Sequence, residues 1–470
     1  MRSSARRLRV AAIALTLDGM TDGRTVDVLV VGAGPVGLTM AWSLGHRGLA
    51  CRIVDRAPEP TQTSKALVLW SRTLELLETM GGAAPFVAEG MRATGASINA
   101  EGRQLVHVDL GVVDSPYPYA CMIPQSATER LLAAQVEATG VTVERRVELV
   151  DFTSDADGVT ATLRHDGGRD ETVRCAWLVG CDGAHSTVRH VLGLPFEGAP
   201  EPSDWILADV HVDAGVPPNE VTVHFSPGGM LVFFPIEPGR FRVVADLGRA
   251  RSDGHPPAPT LAEVQAVVDA RGPGGIRLGT PIWLAGFRIH ERKVRDYGRG
   301  RVFLCGDAAH IHSPAGGQGM NTGMQDALNL AWKLALAHAG RARPLLLDSY
   351  SIERSAVGEA VLRQAGFITR AATLRHPLAR WARDRAYAVA GTFAPVRALV
   401  ASRLTELAIA YPTSPVSGGS GGAVAPGARC PVRPLQAADG TTTTILGLLG
   451  DGRFQLLALG GADVPADVAS

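Results

Sequence analysis

Lysine is almost missing from this chain: only Lys65, Lys293 and Lys333 stand among 46 basic residues, and the others are arginine. Net charge is missing as well. Lys+Arg and Asp+Glu both total 46, so no overall field draws the protein to nucleic acid or to an anionic membrane. Cysteines are few and scattered. Cys51, Cys121, Cys175, Cys181, Cys305 and Cys430 show no C-x-x-C spacing, and the lone C-x-x-x-H at Cys181 and His185 has no second pair beside it, which argues against a metal site or a disulfide frame and for small core residues in a reducing compartment. No apolar run is long enough to span a bilayer. The nearest imitation of a targeting segment is 10–17 behind Arg6 and Arg7, but Asp18 interrupts it and no small-x-small cleavage site follows. Residues 1–24 are therefore read as a disordered leader, or as a start placed upstream of Met20, with export as the lesser reading. The protein is expected in the cytoplasm.

What is there is glycine, in three places where it matters. A chain of 470 residues with 46% hydrophobic content is globular and calls for two or three domains. It is organised around 301–337, RVFLCGDAAHIHSPAGGQGMNTGMQDALNLAWKLALA. Val302, Phe303 and Leu304 read as a short buried strand, and Gly306-Asp307 ends it with a carboxylate. Gly316, Gly317 and Gly319 then let backbone approach a ligand closely. Met324, Leu328, Ala331 and Leu334 recur at helical spacing, so the first turn of that helix aims unpaired N–H groups at whatever the glycines cradle. Such an end favours negative charge.

The second place is 26–55, VDVLVVGAGPVGLTMAWSLGHRGLACRIVD. A continuous apolar strand leads into Gly32-Ala33-Gly34-Pro35-Val36-Gly37, a helix follows, and Asp55 ends the next strand about twenty residues on. With both strands and the acid in place, G-x-G-x-x-G points to an ADP-containing cofactor, its pyrophosphate on the helix start and its ribose on Asp55. The third is 177–189, WLVGCDGAHSTVR, which repeats the grammar: strand, Asp182-Gly183, then a helix entered through Ser186. Between them lie Arg56, at the end of the second strand, and Lys65 and Arg72, basic residues able to reach phosphate; a solvated helix face is the alternative for Arg72. Gln125 stands near the start of a helix at 123–139, placed for cofactor contact or as a capping residue.

Residues 141–173 alternate around Asp157-Gly158 and Gly167-Gly168, a hairpin or meander. Strands at 205–212, 221–225, 230–236 and 241–246 make a mainly antiparallel sheet, the usual place for a substrate surface. An interval at 256–279, Pro/Gly-rich at both ends, follows. His224, Phe233 and Pro235 are the substrate candidates; Met230, Val232 and Phe234 are ambiguous between pocket and core. For a proton-accepting side chain His211, His224, Arg240, Arg242, His310 and His312 are all open, and none is assigned.

Taken together, Gly32–Gly37, Asp182-Gly183 and Gly306-Asp307 resemble the FAD-dependent aromatic hydroxylases, single-component flavoprotein monooxygenases of the p-hydroxybenzoate hydroxylase fold. The likeness runs from about residue 26 to about 362 and is nearest to the branch acting on aromatic polyketides. It implies an α/β fold: a Rossmann-like FAD-binding domain at 25–83, 119–194 and 291–400, and an inserted substrate domain at 84–118 and 195–290. A linker at 401–423 and a short, incomplete thioredoxin-like region at 424–470 follow. It further implies that Gly32, Gly34 and Gly37 hold the FAD pyrophosphate, Asp55 the adenosine ribose and Asp307 the ribityl chain. Gln125 lies along the cofactor, Asp182 and Gly183 support it, and the ring lies among Pro314, Gly317, Gly319, Met320 and Asn321. Lys65 departs from the family's arginine, keeping the charge without the bidentate fork, and Arg72 is the reserve. The resemblance also implies NADPH or NADH as a transient co-substrate with O2, and hydroxylation of a phenolic ring through a flavin C4a-hydroperoxide. Baeyer-Villiger oxygen insertion and a non-catalytic flavin- or drug-binding protein are the alternatives. A small aromatic molecule is the expected partner of a monomer or homodimer.

Overall fold

A computed structural model describes residues 25–62, 64, 66–249, 256–419, 424–436 and 441–449. The leader, Lys65 and the end of the expected thioredoxin-like region lie outside the described residues. Two eight-stranded sheets carry the fold. The first begins with β1 (Thr25–Val31), whose Val28, Leu29 and Val30 are fully buried, as a strand covered on both faces must be. Helix α1 (Pro35–His46) starts directly behind the glycine turn with proline at its first position, where a missing N–H costs nothing. Strand β2 (Cys51–Asp55) returns parallel to β1, and α2 (Gln125–Ala138) leads to β3 (Val143–Arg145), parallel to β2. On the other side of β1 lie β4 (Asp170–Gly180) and then β5 (Val302–Leu304), both parallel. The order β5-β4-β1-β2-β3 reverses direction at β1, so a crevice opens at the carboxyl ends there. Helix α3 (Gly319–His338) packs on α1, and α4 (Leu345–Ala372) covers α3. The expected meander is present: Val147–Ser154 and Val159–His165 pair antiparallel and rest on β4.

The second sheet combines Gly95–Ala100, Arg103–Asp109, Glu197–Val212, Glu220–Ser226, Gly229–Glu237, Arg240–Arg249 and Leu278–Lys293. Its pairs are antiparallel except Glu220–Ser226 with Gly95–Ala100. His310–Ile311 adds at its edge beside Arg292 and Lys293, so the glycine-rich loop hangs between the two sheets. One face buries Leu231, Phe233 and Val243 against a helix at Leu261–Arg271, inside the Pro/Gly-bounded interval. That helix opens with a capping box of Thr260 and Glu263. The other face carries Val232 and Val244, and at its margin Phe234 and Ile236 join Val68 and Trp70.

At 401–414, the first part of the expected linker at 401–423, the chain is held against the fold. Ala401, Thr405, Glu406 and Ser414 are buried, Gln318 Nε2 donates to Arg403 O (3.0 Å), and Ser414 Oγ donates to Glu353 (2.6 Å). The packing runs through polar side chains, so it leaves no apolar periodicity to read. Beyond it, Arg429 clamps the buried Glu75 with its Nε at 2.7 Å. Among the described residues no helix is long and apolar enough to cross a membrane.

Candidate functional site

The carboxyl ends of β1, β2 and β4 share a crevice of ≈ 230 Å³ lined by Gly32, Gly34, Asp55, Arg56, Asp182 and Gly183, among others. Backbone bonds hold the three strand ends together: Gly32 N donates to Val54 O (2.8 Å), Cys181 N to Val31 O (2.7 Å) and Cys305 N to Gly180 O (2.9 Å). The three glycines of the first turn have different reasons to be glycine. Gly32 has φ +101°, and a Cβ there falls 2.4 Å from Cys181 O. At Gly37 a Cβ falls 1.8 Å from Gly32 O, so only hydrogen lets α1 sit this close to the strand. Gly34 has φ −80°, and a Cβ there meets nothing within 4 Å. Neither backbone nor packing requires it, which leaves the approach of something from outside the chain.

Asp55 accepts from Ala33 N (2.6 Å) and from Ala57 N (2.7 Å), and Arg145 stands 3.6 Å away. It therefore ties the second strand end to the glycine turn. Asp182 accepts from Val188 N at 3.2 Å through Oδ2, while Oδ1 is buried without a hydrogen-bond partner among the described residues. Burial raises its carboxyl pKa. The Gly306-Asp307 turn joins the same assembly, since a Cβ on Gly306 falls 2.8 Å from Val36 in the first turn of α1. Gly306 N in turn donates to Asp326 Oδ2 (3.0 Å). Asp307 is exposed at the turn.

Past this turn the loop is anchored by side chains that periodicity did not single out. Trp70 Nε1 donates to Gly316 O (3.0 Å). Asn321 accepts from Trp70 N (2.8 Å) and donates to Val68 O (2.9 Å) and Gly317 O (3.1 Å), so its side chain is spent on holding the loop. Gly316 and Gly317 have φ +88° and +64°. Pro314 is exposed, while Gly319 and Met320 open α3, Met320 packing against the core of the first sheet. Asp326 is fully buried and also binds His310 Nε2 (2.8 Å) and Arg354 Nε (2.6 Å), a hub that sequence spacing gave no reason to find.

Several candidates are placed elsewhere. Arg72 pairs with Glu75 (3.1 Å) rather than reaching the crevice. Gln125 accepts from Ala66 N (3.1 Å) and donates to Glu129 (2.9 Å), which fixes the segment around Lys65. His224 packs edge-on against Phe233, 5.9 Å between ring centres, and Pro235 lies opposite Phe241. Phe233 and Phe241 both belong to the core under helix Leu261–Arg271, so the three substrate candidates sit on the sheet face turned away from Trp70. A shift of one residue along a strand changes faces, and it is Phe234 and Ile236 that meet the loop's side. Arg242 is buried on Asp209 (2.7 and 2.9 Å), Arg240 pairs with Glu237 (3.2 Å), and His211 is exposed.

A family model described as an FAD binding domain matches residues 25–365. The 6-methylpretetramide 4-monooxygenase of Streptomyces rimosus is 41% identical over 404 residues, 84% of this chain and 72% of that one. The 12-dehydrotetracycline 5-monooxygenase/anhydrotetracycline 6-monooxygenase of Streptomyces rimosus subsp. rimosus is 36% identical over 426 residues, 88% of this chain and 82% of that one. Among solved structures, the OxyS anhydrotetracycline hydroxylase from Streptomyces rimosus superposes with a TM-score of 0.78 at 32% identity, covering 94% of this chain and 87% of its own.

Proposed function

Because this chain belongs to the FAD-binding-domain family of flavin-dependent monooxygenases, we propose that it uses NAD(P)H and O2 to hydroxylate a phenolic, polycyclic aromatic compound of polyketide type. One observation carries the reading. Three turns far apart in sequence meet along one path, with Gly32, Asp55 and Asp182 on a single crevice and Gly306 against Val36. The residues fit FAD: Gly34 leaves room that no protein atom uses, and the buried Oδ1 of Asp182 lacks a partner.

Bound there, FAD supplies the redox chemistry, taking electrons from the nicotinamide and activating O2. The chain supplies position. The start of α1, with Gly34, Pro35, Val36 and Gly37, would receive the pyrophosphate, and Asp55 the adenosine ribose beside Arg56. Asp307 receives the ribityl chain, and the loop from Pro314 through Gly317 to Asn321 borders the ring. The N–H groups opening α3 favour negative charge on its near edge. Phe234 and Ile236 offer an apolar surface that excludes water on the loop's side.

Purified protein supplied with FAD and screened against phenols and anthraquinones tests this. Flavin absorbance retained through gel filtration and NAD(P)H oxidation accelerated by a hydroxylated ring compound are expected. Protein that binds no flavin refutes the reading, and binding without turnover converts it to a flavin-binding protein. NMR of the product distinguishes hydroxylation from ring insertion.

A further inference from the structure

Two hydrogen-bond acceptors beside the start of α3 have no donor among the described residues. His312 Nδ1 lies 2.7 Å from Ser313 O. A carbonyl oxygen only accepts, so Nδ1 carries the proton, and burial next to His310 lowers the imidazole pKa to about 4, keeping the ring neutral. Nε2 is therefore a bare lone pair. It is buried and unpartnered, and it points at the helix start, 3.6 Å from where a Cβ on Gly319 would stand. Gln318 repeats the logic. Its Nε2 donates to Arg403 O (3.0 Å), which fixes the amide, and its Oε1 is buried, unpartnered and turned toward Gly316, 3.7 Å from a Cβ placed there. Both neighbours are glycine, so no side chain covers either acceptor. A buried acceptor left without a donor costs about 1–3 kcal/mol. Two of them bracketing one loop make a place that a ligand bringing donors would fill.

We propose that His312 Nε2 and Gln318 Oε1 are a donor-recognition pair that receives O–H groups of the molecule bound at the start of α3. This rests on the functional reading above and adds a chemical requirement to it. The ligand must bring a hydroxyl where it meets the loop; where the substrate supplies it, an O-alkylated or hydroxyl-free ring is refused. Two bound molecules carry such groups, the ribityl chain of FAD and a phenolic substrate. No proton is transferred in this role; the pair selects and orients.

The test uses His312→Phe and Gln318→Met, which keep bulk and remove the acceptor, with His312→Gln as the variant that restores one. FAD affinity of the apoprotein is measured by fluorescence quenching without substrate. Phenol affinity is then measured on the flavin-loaded protein by perturbation of the flavin spectrum, with the O-methyl ether of the same phenol alongside. A loss of about tenfold in FAD affinity, regained in part by His312→Gln, identifies the ribityl hydroxyls as the donors. Unchanged FAD affinity with about tenfold weaker binding of the phenol, and no change for its ether, identifies the substrate. If neither affinity moves in correctly folded variants while the wild-type protein binds FAD, the pair has no such role. Wild-type protein that fails to bind FAD overturns the functional reading instead.

Discussion

Gly34→Ala separates folding from cofactor binding at a single atom. The residue has φ −80° and ψ −173°, which alanine adopts freely, and the new methyl meets no protein atom within 4 Å. The fold should therefore lose nothing; at a compatible site this change stabilises by roughly 0.4–1 kcal/mol through the unfolded chain. The same methyl stands where a diphosphate reaches the start of α1. Losing one charge-assisted bond there costs about 1.5–3 kcal/mol, or roughly 10- to 100-fold in FAD affinity. At FAD 100-fold above its wild-type Kd, the wild-type protein gains about 2.7 kcal/mol from binding, and a variant binding 100-fold more weakly gains only about 0.4 kcal/mol. Thermal melts with and without FAD read both quantities. The expected result is an apoprotein melting at or slightly above wild type whose FAD-induced rise is mostly gone. Gly37→Ala is the contrast, since its Cβ lies 1.8 Å from Gly32 O and must damage the apoprotein itself. A Gly34→Ala protein that binds FAD like wild type would refute the assignment of this crevice to the pyrophosphate.

Burial holds the Glu406 carboxyl proton to about pH 8, against an ordinary 4.5. The folded state thus keeps a proton the unfolded chain has released, and stability falls as pH rises from about 4.5 through about 8. Glu406→Gln removes that slope, so its melting temperature relative to wild type should climb between pH 5 and pH 9 in a series of thermal scans. Lys333 and Glu353 form a buried pair at 2.7 Å. Lys333→Met should cost about 3–5 kcal/mol in urea unfolding by stranding the carboxylate, and adding Glu353→Leu should recover part of it. Phe233→Ala should cost about 3–5 kcal/mol of stability, whereas Phe234→Ala should weaken aromatic ligand binding, read by spectral titration, more than it affects the melt.

Local signals and distant ones were not equally readable. The glycine turns are legible because conformation and close approach are decided within a few residues, as at Gly32 and Gly37. The helix α3 is legible from its own periodicity. The face of the second sheet is not: residues 230–236 read MLVFFPI, with no polar alternation to tell Phe233 from Phe234, and the choice is made by the helix packed below and the loop above. Nor could the sequence foretell that the chain at 401–414 is held against the fold, because those contacts join polar residues 85 and 61 positions apart, and at Arg72 spacing alone could not choose between Glu75, three residues on, and a phosphate. Asp326 escaped notice for a related reason, since an acid inside an apolar helix reads as exposed until its arginine is found.

The family match stops at residue 365, yet the wiring around Asp326 does not. Arg354, which holds that carboxylate, is itself held by Tyr411 (2.9 Å), and its neighbour Glu353 by Ser414 (2.6 Å). Anyone excising a minimal flavin module at the sequence-defined border would cut these two ropes and leave a guanidinium and a carboxylate half-tethered beneath the Gly306 turn. A portable version of this protein must therefore run past Ser414 and on to Arg429, which holds the buried Glu75, some sixty residues beyond where similarity alone would place the scissors.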